Sequence, residues 1–301
     1  MNDNGRHEFD LTPEGRIAYL EALLEAFEPW GDYGPIFVGH LDHEDPRVRA
    51  TAIRGLWYLP HSNLIDRLIE MAERDPSAEV RAAAVSGLGI YIYEEEMASY
   101  DPDRQAATEL VGEEEISEAD FERVRSFLLE VYADETRSLD ERRFAIESLG
   151  FSSDPEVADL IEEAYNRPER EMKISALFAM GRSGMGRWVD ILARELYNAE
   201  REIQREAIRA VGEIGMDELG KDVWRLTYAE DREIMLEAID ALGRIGWEGG
   251  FERLEELTMD PDPEIVQVAE EALDEWLMMS ELLGEDEEPD WDLDVDWDEI
   301  D

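Results

Sequence analysis

Four segments of this chain, RRFAIESLG (142–150), KISALFAMG (173–181), QREAIRAVG (204–212) and MLEAIDALG (235–243), begin at intervals of 31 residues. Ala145, Ala176, Ala207, Ala238 and Ala269 fall in register, as do Leu149, Met180, Val211, Leu242 and Leu273, and Gly150, Gly181, Gly212 and Gly243. A fixed period of this length is the signature of an array of identical supersecondary units, and it excludes most other architectures at once. Upstream, VRATAIRGL (48–56) and VRAAAVSGL (80–88) fit the same template through Ala52 and Ala84, 32 residues apart. The next interval, Ala84 to Ala145, is 61 residues, so one unit carries about 30 extra residues.

Within a unit the apolar residues recur at helical spacing, as in Ile203, Ala207, Ala210, Val211 and Ile214, which form one stripe. A second apolar helix precedes each segment, for example EVADLIEEAYN (156–166) and RWVDILARELYN (187–198). Glu171, Glu202, Glu233 and Glu264 stand near the start of the later helix, where they complement its dipole. The glycines after its last apolar positions read as helix stops. Such a hairpin cannot bury its apolar face alone. The sequence therefore predicts an all-α, right-handed α-solenoid in which the small alanines let stacked helices approach closely.

DPDPEIVQVAEEAL (260–273), DPSAEVRAAAVSGLG (75–89) and EDPRVRATAIRGL (44–56) resemble the HEAT-repeat family, in the short bacterial and archaeal form also found in phycobilisome lyases. The resemblance spans roughly residues 33–280, about seven hairpins. It speaks to fold far more than to function, because the shared residues are packing and turn residues. The arginine of the family pattern, at Arg49, Arg81 and Arg142, is replaced by Lys173, Gln204, Met235 and Val266, so any ladder built on it is expected to fade toward the C-terminus. Residues 1–32 are expected to hold an N-terminal capping helix, begun by Thr12 and Pro13, a good cap and first-turn pair. Residues 93–119, acidic and interrupted by Asp-Pro and a lone Gly, read as a long loop with room for one short helix. Residues 281–301 read as a disordered acidic tail.

The chain has 301 residues, 78 Asp and Glu against 28 Lys and Arg, and a formal charge of −50. That field repels nucleic-acid phosphates and anionic headgroups, so neither nucleic acid nor membrane is an expected partner. Cysteine is absent, which removes disulfides, thiolate nucleophiles and zinc–thiolate sites. The N-terminus lacks the pattern of a secretory signal and no run approaches a membrane span, so a cytoplasmic protein is expected. Lysine occurs only at Lys173 and Lys221, a bias that also fits a surface adapted to concentrated salt.

No catalytic residues, cofactor or metal site are expected. His7-Glu8 and His43-Glu44 are the only His-Glu pairs, too few for the di-iron centre of deoxyhypusine hydroxylases, which resemble this scaffold. Asp292, Asp294, Asp296 and Asp298 imitate the start of a calcium loop, but Trp297 occupies its glycine position. The expected function is a non-enzymatic adaptor for a basic protein or peptide. A bilin-lyase-like enzyme and an acidic scaffold serving salt tolerance are the alternatives.

Positions that repeat outside the core nominate the binding face: Phe144, Phe151 and Phe178 as apolar anchors, and Glu206, Glu213, Glu237 and Asp240 as partners for basic side chains. The phenylalanines could equally pack beneath a neighbouring helix, and the acids form a solvated face. The tail EPDWDLDVDWDEID (288–301) places Trp291 and Trp297 among acids. It reads either as an interaction motif that offers accessible aromatics to a basic surface or as a solubilising tail with incidental tryptophans. If it is a motif, replacing both tryptophans by alanine weakens retention of a basic protein on the immobilised chain; undiminished retention across a salt gradient identifies the tail as solubilising.

Overall fold

The computed structural model describes residues 12–25, 33–58, 60–100 and 116–284, and among these every regular element is helical. The chain divides into two compact units, Met1–Met185 and Gly186–Asp301.

The first unit contains α1 (Pro13–Glu25), α2 (Gly34–Val38), α3 (Pro46–Gly55), α4 (Ser62–Arg74), α5 (Ala78–Gly87), α6 (Gly89–Tyr100), α7 (Glu118–Ala133), α8 (Leu139–Leu149), α9 (Pro155–Tyr165) and α10 (Arg170–Arg182). Hairpins pair α4 with α5, α7 with α8 and α9 with α10, while α1 and α2 both pack on α3. The later helices of successive hairpins, α3, α5, α8 and α10, stack on one another in that order. The second unit contains α11 (Val189–Glu195), α12 (Arg201–Ile214), α13 (Gly220–Leu226), α14 (Arg232–Ile245), α15 (Phe251–Leu257) and α16 (Pro263–Gly284). It repeats the plan three times, with α12, α14 and α16 stacked. Four hairpin-like layers and three more agree with the seven read from the sequence.

The Asp-Pro dipeptides explain where helices begin. Asp45, Asp154 and Asp262 each accept the backbone N–H two residues on, at 2.9, 2.8 and 3.0 Å, and the proline after each sits in the first turn, where its missing N–H costs nothing. Ser117 and Ser138 close capping boxes with Asp120 and Glu141. At α1, the Thr12 hydroxyl accepts from Gly15 N at 3.2 Å, and Leu20 is fully buried against the rest of the unit.

All seven registered alanines, from Ala52 to Ala269, are wholly buried. Gly181, Gly212 and Gly243 do not stop helices but lie inside α10, α12 and α14, whereas Gly150 caps α8 with ordinary right-handed geometry. Their role is close approach. A Cβ on Gly150 would lie 2.7 Å from the Ala179 Cα, one on Gly212 2.9 Å from the Ala241 Cα, and one on Gly243 2.7 Å from the Ala272 Cα. The true stops in the second unit are Gly215 and Gly246, with φ of 71° and 66°, a left-handed backbone that suits glycine.

The arginine of the repeat pattern ties each hairpin together from within. Arg49 Nη1 donates to the His43 carbonyl at 2.7 Å, Arg81 Nη1 to that of Asp75 at 2.9 Å and Arg142 Nε to that of Tyr132 at 3.1 Å; Gln204 Nε2 does the same to Leu196 at 2.8 Å. The first two also reach the next hairpin, Arg49 through a two-pronged pair with Asp75 and Arg81 through Glu141. In the second unit the ladder changes position rather than vanishing. Arg201 pairs with Glu233, Arg205 with Glu237 and Arg232 with Asp262, at 2.9, 3.1 and 2.7 Å. Partly exposed pairs of this kind contribute about 0–1 kcal/mol each, so buried small-residue contacts dominate the stacking.

The described ends of the acidic insertion are largely helical. Residues 93–100 continue α6, which starts with buried Ile90, Tyr91 and Ile92, and residues 118 and 119 already belong to α7. Tyr91 Oη donates to the His61 carbonyl at 2.8 Å, and Glu95 pairs with Arg125 at 2.7 Å. Glutamates are good helix formers, and an apolar first turn anchors this run to the core. Residues 281–284, expected to begin the disordered tail, are instead the last residues of α16, while residues 101–115 and the remainder of the tail, 285–301 with Trp291 and Trp297, lie outside the described residues.

A methyl group added at Gly212 forces α12 and α14 apart, and Gly212→Ala is expected to cost about 1–3 kcal/mol in denaturant unfolding. Gly186→Ala, which meets nothing within 4 Å, serves as the control and should change stability by less than about 0.5 kcal/mol.

Candidate functional site: an aromatic groove in the first unit

Stacking of α3, α5, α8 and α10 brings their C-terminal ends together, and residues in and just after their last turns line a groove of about 550 Å³. Trp57 comes from the 3-10 turn after α3, Tyr93 from α6, Phe151 from the residues after α8, and Phe178 and Arg182 from α10. Phe151 is the hub: its ring centre lies 5.5 Å from that of Trp57 and 5.6 Å from that of Tyr93, which meets it edge-on. The Arg182 guanidinium lies over two rings, 5.0 Å from the centre of Phe178 and 5.6 Å from that of Phe151. These distances are those of attractive aromatic and cation–π contacts. A smaller recess of about 230 Å³, with Leu24 and Ile53 in its wall, shares Trp57 and Ser86 with the groove.

The polar part of the wall comes from α8. Ser148 is buried and donates to the Val85 carbonyl at 3.3 Å. Glu147 accepts a hydrogen bond from the Ser175 hydroxyl and stands 3.6 Å from Arg143, whose Nε donates to the same hydroxyl at 2.9 Å. Burial pushes the Glu147 carboxyl above its ordinary pKa, against the opposing pull of Ser175 and Arg143. Glu94 also lines the groove.

Residues 35–100 and 188–274, together just over half of the chain, match the family pattern of HEAT repeats. This chain belongs to the HEAT-repeat family. No curated protein matches it. Among solved structures it is similar to the CpcE–CpcF complex of phycocyanin lyase from Nostoc sp. PCC7120, at 17% identity over 92% of this chain and 97% of that one, with a TM-score of 0.49. Escherichia coli YibA matches at 15% identity over 91% and 99%, with a TM-score of 0.47. Human deoxyhypusine hydroxylase matches at 16% over 87% and 97%, with a TM-score of 0.33. None of these likenesses bears on function. Residues 101–187 fall outside the family match, yet α7 to α10 form the same hairpins as the matched HEAT repeats.

The HEAT repeats separate the residues nominated from the sequence. Phe151 and Phe178 line the groove; Phe144, on α8, lies beneath the Arg143 guanidinium at 5.1 Å and does not. The acids belong to the second unit. Glu206 and Glu237 both pair with Arg209, at 3.1 and 2.9 Å, Glu237 also pairs with Arg205, and Asp240 pairs with Arg244 at 3.1 Å. Glu213 adds to the negative potential around Arg209. Glu237 belongs to the inter-repeat ladder while Glu206 and Asp240 pair with arginines of their own helices, so a basic partner at these three would have to compete with arginines already in place.

Three features escaped the sequence reading. Trp57 and Tyr93 sit in a turn and in the insertion, outside the compared positions. A further strip did follow the period: Tyr197, Tyr228 and Met259, 31 residues apart after α11, α13 and α15, are 54%, 54% and 84% exposed. Among the described residues no group of His, Asp and Glu is arranged to hold a metal ion, and no helix is long and apolar enough to cross a membrane.

Because Glu147 has a raised pKa in the folded state, its ionisation costs folding free energy as pH rises from the unfolded carboxyl's range through the folded value. Glu147→Gln keeps an acceptor for Ser175 and cannot ionise. Its melting temperature relative to the unaltered chain is expected to be higher at pH 7.5 than at pH 4; equal differences at the two pH values would show that burial does not penalise the carboxylate.

Proposed function

We propose that this HEAT-repeat chain is a non-enzymatic, cytoplasmic scaffold or adaptor that binds a basic protein or peptide through the aromatic groove of its first unit. HEAT repeats form scaffolds for protein interactions, and the groove is the place where this one concentrates half-buried aromatic side chains. Rings that are partly desolvated and held by stacked helices supply binding area at little conformational cost, the usual property of anchor residues in interfaces. The chemistry of the partner follows from charge. At −50, the chain attracts cationic segments from a distance and repels anionic ones, so electrostatics governs encounter and the rings govern retention. Trp291 and Trp297 of the acidic tail offer a second contact to the same basic partner, as do Glu206, Glu213, Glu237 and Asp240 where they exchange an internal arginine for an external one.

The single observation that carries this reading is the ring cluster of Trp57, Tyr93, Phe151 and Phe178 around an open groove. Fluorescent 12-residue peptides rich in arginine and lysine test it by anisotropy. Phe151→Ala with Phe178→Ala is expected to weaken binding about tenfold or more at 0.15 M salt, whereas Phe144→Ala leaves it unchanged. Binding that is insensitive to both ring substitutions but falls steeply with salt would place the interaction on the diffuse acidic surface instead.

A further inference from the structure

Resting on the groove as the binding site, a more specific chemistry follows from what already occupies its rings. The Arg182 guanidinium covers Phe178 at 5.0 Å and Phe151 at 5.6 Å, yet its residue is exposed, at the end of α10. A cation stacked on two phenylalanines at the mouth of a groove shows that these ring faces accept a planar cation. The carboxyl of Glu147, in the groove wall on α8, supplies the opposite charge, which an incoming cation would share with Arg143 at 3.6 Å and with the Ser175 hydroxyl. Aromatic faces with a carboxyl in the wall are the chemistry that recognises cationic groups, and a guanidinium stacks on rings better than a hydrated ammonium does.

We infer that the ring faces of Phe151 and Phe178 are a subsite for the guanidinium of a partner's arginine, with Glu147 as its counter-group, and that Arg182 is an internal occupant that the partner displaces. Arg182 is the last residue of α10 and is exposed, so displacing its side chain clears both rings without moving the stacked helices, at the cost of the contacts it already holds. The internal cation also lowers the affinity of weakly cationic segments, since a ligand must match the contacts it replaces. Selectivity for arginine over lysine follows from the geometry of the rings.

The test uses the full chain and two 12-residue probes of alternating glycine with arginine or with citrulline, which keeps the planar shape and removes the charge. Binding is read through Trp57 emission, isolated by difference from a Trp57→Phe chain. The unaltered chain is expected to bind the arginine probe about tenfold more tightly than the citrulline probe, and Arg182→Ala to tighten arginine binding further, by about three- to tenfold. Arg182→Lys should tighten it less, because an ammonium still competes for the rings. Equal affinity for the two probes, or weaker binding after Arg182→Ala, would overturn the subsite. In either case the scaffold reading stands if Phe151→Ala still lowers affinity. If Phe151→Ala changes the binding of neither probe, that reading fails as well.

Discussion

Close approach of consecutive second helices is the constraint on which everything else here depends. Alanine or glycine must occupy the facing positions, because a single added carbon at Gly150, Gly212 or Gly243 would fall within 3 Å of the backbone of the next helix. Interiors packed at this density do not absorb such a carbon without moving a helix. The spacing that results fixes where side chains at the helix ends meet. Phe151, after α8, and Phe178 with Arg182, on α10, come from sequence positions about 30 apart but share one wall. The groove is thus a consequence of small-residue stacking, not of any sequence-local motif.

Charge acts as a second layer on this frame. A chain at −50 has far more carboxylates than arginines, and several of the described arginines stitch neighbouring repeats: Arg49 to Asp75, Arg81 to Glu141, Arg205 to Glu237, Arg232 to Asp262. The exposed pair Arg232–Asp262 contributes little stability, while Arg49–Asp75 and Arg81–Glu141 are largely buried, and together the pairs place positive charge at repeat junctions. Arg182 differs from these ladder arginines in its placement, since its guanidinium lies on aromatic faces at the groove. Other arginines also lie on rings, among them Arg143 on Phe144 and Arg253 on Tyr228, but Arg182 covers two rings that line one groove.

The fold was legible because periodicity is written in the residues that pack: the seven alanines align and all seven are buried. The glycines were legible as positions but not as roles, since a glycine one turn before a helix end looks the same as one at the end; only the distances to Ala179, Ala241 and Ala272 separate close approach from capping. The site was half legible. Phe151 and Phe178 followed from counting along the period, while Trp57 lies in a turn and Tyr93 in an insertion that breaks the period, and their convergence is a tertiary fact. For the nominated acids of the second unit, helical spacing already sets Arg209 beside Glu206 and Arg244 beside Asp240, whereas the approach of Arg205 and Arg209 to Glu237 crosses between helices and no linear count reveals it.

A basic segment is expected to enter the groove of the first unit and not the ladder of the second. Amide hydrogen exchange of the full chain, with and without a saturating arginine-rich 12-residue peptide, tests it most directly. The account predicts slower exchange in the segments around Trp57, Tyr93, Phe151 and Phe178–Arg182, with residues 201–244 unchanged. Protection confined to 201–244, or spread evenly over the acidic surface, would contradict it.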